Sequence, residues 1–251
     1  MAARRTSPRR AQHKVPDPPA FEHHHRDIRG GTARAAVFGV QDGLISNASL
    51  ILGVAAGDHY GQVAVRLAGL IGLVGGAVSM AVGEYISMTA QKELFERELE
   101  LERREIRRRP ETERRELAHI YRARGVDPGT ADELASQMMR DPDVALETHA
   151  REELGIDPKA LGSPMGAAVS SFGSFAVGAL APLLPWFFVG GHGAAMATVV
   201  LTVIAALAVG AGLSRFTGRS VVRSALRQLV FVAVPAAFVY GIGALVGVAT
   251  G

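Results

Sequence analysis

The apolar residues of this chain fall in five long runs, at about 35–56, 63–90, 163–190, 194–213 and 228–250, and nearly all the charge lies between them. Each run reaches the roughly 20 residues that a helix needs to cross the hydrocarbon core of a bilayer. A water-soluble chain would spread its apolar residues at periods of 2 or 3.6. Segregation into blocks points instead to an all-α integral membrane protein with five transmembrane helices, because in lipid a helix satisfies its own backbone polar groups. Gly72, Gly75, Gly76, Ser79 and Gly83 stud the second run. Small residues at spacings of three and four let helix backbones approach closely.

The first run, AAVFGVQDGLISNASLILGVAA from Ala35 to Ala56, contains a carboxylate, Asp42, about a third of the way in. Gln41, Ser46, Asn47 and Ser49 lie beside it. An ionisable group at that depth costs roughly 3 to 17 kcal/mol depending on the method, so it faces protein or water and marks a pathway.

Every lysine and arginine except Arg66 lies in one of three places: the stretch up to Arg34, the segment 91–162, or the loop 214–227. With the N-terminus inside and five crossings, all three fall on the cytoplasmic side, the pattern of the positive-inside rule. The C-terminus is then outside, and Trp186, Phe187 and Phe188 mark an aromatic belt at the outer end of the third span. Residues 1–30 form a basic arm expected to be disordered, with His23, His24 and His25 as a polar lead-in to the membrane. The arginines flank apolar helices or alternate with glutamates, which argues against nucleic-acid binding. The chain has no cysteine, so neither a disulfide nor a thiolate metal site is available. Apart from Lys14, Lys92 and Lys159 the basic residues are arginines, a hint of GC-rich bacterial coding.

Residues 91–162 separate the first two spans (31–90) from the last three (163–251). QKELFERELELERREIRRR continues the second span into water without a breaker. Pro110, Asp127-Pro128 and Asp141-Pro142 each open a new helix, since proline is favoured at the first helical position, and Gly125 ends one. A small helical domain follows. Glu98, Glu102 and Glu105 fall on one helix face, and Glu113 and Glu116 repeat the spacing after the proline. Facing carboxylates suit divalent cations. Glu–Arg pairing on a solvated helix is the other reading, with Arg103, Arg104, Arg107, Arg114 and Arg115 at hand.

FGVQDGLISNASLILGVAAG and GGAVSMAVGEYISMTAQKE resemble the first two helices of the vacuolar iron transporter family. ELERREIRRRPETERREL, VALETHAREELGID and SPMGAAVSSFGSFAVGALAPLLPWFF extend the resemblance through the insertion and the third span. It implies five transmembrane helices, a homodimer and a cytoplasmic helical metal-binding domain. It further implies export of Fe2+, and Mn2+, from the cytosol in exchange for protons, with no prosthetic group and no enzymatic activity. Carried over residue by residue, it places the membrane path at Asp42 and Met80, and cytoplasmic ligands at Glu102, Glu105, Glu113, Glu116 and Glu153, with Glu152 beside the last. Glu84, one turn beyond Met80, becomes a relay or proton carrier. The chain departs from plant relatives at His149-Ala150, where they carry a Met pair. A neutral imidazole is a borderline ligand suited to Fe2+ and Mn2+, so His149 can replace a thioether.

Two other classes fit less well. A membrane-anchored carboxylate di-iron oxidase calls for paired Glu-x-x-His motifs, and within the insertion only Glu116–His119 has that spacing. A metal sensor or store needs no more than an anchor. The expected location is a bacterial plasma membrane, or a vacuolar membrane in a eukaryote.

Overall fold

In the computed structural model, residues 31–57 and 61–250 are described; the N-terminal arm with His23–His25 lies outside them. Among the described residues the chain is helical, with no strand. Helices α1 (Gly31–Ala56), α2 (Gly61–Arg108), α6 (Pro164–Leu183), α8 (Gly191–Thr217) and α9 (Val221–Thr250) are long and apolar enough to cross a membrane. Between α2 and α6 lie α3 (Pro110–Ala123), α4 (Pro128–Met138) and α5 (Pro142–Glu152), and one-turn α7 (Pro185–Phe188) follows α6.

α1 is the axis of the bundle and packs against α2, α6, α8 and α9. Two glycines allow its close approach to α6. A Cβ on Gly43 would lie 2.2 Å from the Phe175 carbonyl oxygen, and one on Gly178 would lie 2.1 Å from that of Val40. With little hydrophobic drive between helices in lipid, such close backbone packing holds a bundle together. The opposite face of α2 is an apolar exterior, with Val63, Leu67, Ile71, Val74, Val78 and Val82 all exposed.

α2 is 48 residues long and runs without a break from the bundle into the insertion. Proline at the first position opens α3, α4 and α5, as the sequence indicates, and Pro164 opens α6 in the same way. The Asp127 side chain accepts from the Gly129 and Thr130 amides, and that of Asp141 accepts from Asp143 and Val144. These caps satisfy amides that have no partner within the helix. Leu99 and Ile106 of α2 pack with Ala145, Leu146 and Ala150 of α5, and Leu117 and Ala118 of α3 pack with Ala135 of α4.

The third apolar run, expected as one span, is broken at Leu184. Pro185 has no amide hydrogen to continue α6, and it serves as the first residue of α7 instead. Side chains take up carbonyls at the break. Thr198 donates to the Pro182 carbonyl at 2.8 Å, Gln62 donates to that of Val189 at 2.9 Å, and Arg66 donates to that of Trp186. The aromatic trio divides here as well. Phe188 is exposed and Phe187 partly so, whereas Trp186 turns inward, 3% exposed, and donates to Thr198.

Candidate metal centre and membrane cleft

In the insertion, α2 contributes Glu102, α3 Glu113 and α5 His149, which are 4%, 6% and 0% exposed. One ligating atom from each lies within 4.8 Å of the others. His149 Nδ1 stands 3.2 Å from Glu102 Oε1 and 3.4 Å from Glu153 Oε2. The approach to Glu102 is not aligned as a hydrogen bond, which leaves Glu102 Oε1 buried without a partner, and the other ring nitrogen, His149 Nε2, is buried without one as well. Buried polar atoms are nearly always satisfied, and two orphans in one cluster point to a missing ligand.

The electrostatics agree. Burial, reinforced by the charges of Glu153, Glu113, Glu105 and Glu116, pushes the Glu102 carboxyl up to about 7. Burial likewise raises Glu113, with Glu116, Glu105 and Glu153 adding to it and Arg109 opposing. Glu105 and Glu116 are exposed at the rim, yet their charge reaches both buried groups. No arginine or lysine forms an ion pair with Glu102 or Glu113 among the described residues. A divalent cation would supply the missing positive charge, and a carboxylate–imidazole set suits Mn2+, Fe2+ and the later first-row ions. Glu152 is not brought into this cluster. Its carboxylate accepts from Arg124 on the outer side of α5, because adjacent helical positions lie about 100° apart.

Within the bundle, Asp42 and Met80 line one cleft of about 300 Å³ between α1, α2 and α6. Ser46, Asn47, Ser79 and Phe175 share its walls. Gly72 and Gly76 keep it open on the α2 side: a Cβ on Gly72 would meet Asn47 Oδ1 at 2.7 Å, and one on Gly76 would meet the Phe175 ring at 2.3 Å. A carboxylate beside a thioether combines a charged oxygen ligand with a soft one that favours transition metals over Mg2+ or Ca2+. Glu84 stands apart from the cleft. It is nearly buried and holds Arg34 of α1 through both carboxylate oxygens, at 3.0 and 3.1 Å. Neither Arg34 nor the cleft-lining role of Gly72 and Phe175 is apparent from the sequence. The signal for Arg34 is its cationic side chain at the start of an apolar run.

Five spans around a central α1, with an acid-rich helical insertion extending from the second span, define a multi-span membrane protein of the metal-handling kind. The chain belongs to the VIT family, whose sequence model matches residues 33–244. It is 43% identical over 162 residues to a vacuolar iron transporter of Acanthamoeba castellanii, covering 64% of this chain and 58% of that protein. Vacuolar iron transporter 1 of Oryza sativa subsp. japonica is 32% identical over 231 residues, 88% of this chain and 90% of the relative. Vacuolar iron transporter 1 of Arabidopsis thaliana is 31% identical over 210 residues, covering 80% and 82%.

Proposed function

We propose that the protein carries Fe2+, and Mn2+, out of the cytosol in exchange for protons. The reading is supported above all by the shared cleft of Asp42 and Met80 inside the bundle. Relatives named vacuolar iron transporters supply the ion. The insertion faces the cytosol and gathers the cation at Glu102, Glu113, His149 and Glu153, with Glu105 and Glu116 concentrating it at the rim. From there it passes Glu84, which becomes available as a ligand when Arg34 releases it. It then binds Asp42 and Met80 in a cavity completed at the two-fold axis of a homodimer. Protonation of Asp42 from the far side removes the charged ligand and frees the cation outward, so one carboxylate serves metal and proton in turn. Export of this kind serves detoxification at a plasma membrane or storage across a vacuolar one.

The test is metal uptake into proteoliposomes loaded with a pH-sensitive dye, wild type beside Asp42→Asn. This substitution removes the charge and nearly preserves the shape. Metal flux with opposing proton movement in wild type, abolished in Asp42→Asn, is expected. Undiminished flux in Asp42→Asn would remove the cleft from the mechanism. Metal bound by a wild-type protein that moves none would favour a sensor or store.

A further inference from the structure

Asn47 sits on the wall of the Asp42 cleft with half of its amide unaccounted for. The side chain is 1% exposed. Its Nδ2 donates to the Ala179 carbonyl of α6 at 2.7 Å, which fixes the rotamer and turns Oδ1 toward α2. There Oδ1 is buried with no donor. What faces it is Gly72, where even a Cβ would crowd it at 2.7 Å. The bond to Ala179 explains the nitrogen. It does not explain an orphan oxygen, and buried amide oxygens seldom go unpaired.

We infer that Asn47 is the ligand that receives the divalent cation after Asp42 and Met80, an inference that rests on the reading of those two residues as the membrane step. Asn47 lies five residues beyond Asp42 toward the Ala56 end of α1, a rise of about 7.5 Å. An amide oxygen offers two lone pairs and no charge, so it replaces part of a hydration shell without trapping the ion. Conduction needs sites strong enough to enter and weak enough to leave. A charged site followed by a neutral one gives that descending order along a single helix, and at Gly72 it is backbone, with no side chain, that lies against the oxygen.

Full-length protein in liposomes tests this, with initial Mn2+ uptake measured across concentrations for wild type, Asp42→Asn, Asn47→Ala and Asn47→Asp. Rates are normalised to folded protein. Asn47→Ala is expected to lower kcat about tenfold with KM changed less than about twofold, because loading at Asp42 and Met80 is intact. Asn47→Asp adds charge where release requires its absence, and after desalting it should retain more Mn2+ than wild type. Both variants lose the Nδ2 bond to Ala179. A purely structural role would therefore appear as a shared fall in thermal stability with equal metal retention. That result, or wild-type kcat in Asn47→Ala, overturns the inference while leaving Asp42 and Met80 in place. Undiminished flux in Asp42→Asn, or none in wild type, overturns the underlying reading and this step with it.

Discussion

Glu100 and Glu102 lie two residues apart on α2 and meet opposite environments. Glu100 accepts from Arg103 at 3.0 Å and Arg104 at 3.1 Å, and those guanidinium groups hold its carboxyl below the usual range. Glu102 faces Glu113 and His149, and burial among carboxylates lifts it to about 7. At about 100° per residue, two positions place side chains on nearly opposite faces. Arg103, Arg104 and Arg107 share the face of Glu100, while the face of Glu102 carries Leu99, Glu105 and Ile106. Glu111 and Glu147 repeat the outer pattern on α3 and α5, each lowered by basic neighbours. Carboxylate density alone therefore says little about metal. What separates a ligand set from a solvated helix is where the arginines are missing.

The largest effect that would break this contrast comes from the inner face. Glu102→Gln with Glu113→Gln, in the full-length protein, should abolish most of the metal bound by the insertion, read as ions per chain by elemental analysis. Unchanged stoichiometry would return the cluster to an ordinary buried acid group. A smaller effect concerns pH in the metal-free protein. The native state keeps a proton on Glu102 between its ordinary value of 4.5 and about 7, where the unfolded chain has already released it. Stability is thus fully present below about pH 4.5 and declines as pH rises toward 7. Melting temperature followed across that window should fall, and the slope should flatten in Glu102→Gln. Metal affinity should run the other way, rising with pH as the proton leaves. The smallest effect sharpens the comparison from outside. Glu100→Gln should leave metal stoichiometry unchanged, since exposed ion pairs contribute little, and loss of metal there would mean the outer face takes part in binding.

Much of the architecture could be read from local chemistry. Block hydropathy gave the spans, and Pro110, Pro128 and Pro142 marked helix starts because a missing amide hydrogen costs nothing there. The same rule, applied to Pro185, would have located the break after Leu183 that a continuous apolar run conceals. Glu102 and Glu113 were visible through their spacing, and His149 through its departure from the family pattern. Pairings between distant residues were not visible. Nothing within a turn of Glu84 announces Arg34, 50 positions away, and nothing around Glu152 announces Arg124. Such partners are set by how helices cross.

The unbroken length of α2 has a mechanical consequence. Met80 and Glu102 sit on the same rod, about 33 Å apart at 1.5 Å per residue, so they share one orientation. Glu102 stands about 18 Å beyond residue 90, where the apolar run ends. A tilt of about 10° pivoting at that level would sweep Glu102 sideways by about 3 Å, more than the length of a metal–oxygen bond. The part of α2 inside the bundle is therefore a lever on the distant cluster: because α3 and α5 pack on α2, a rocking span would swing the whole cluster sideways with no hinge in between.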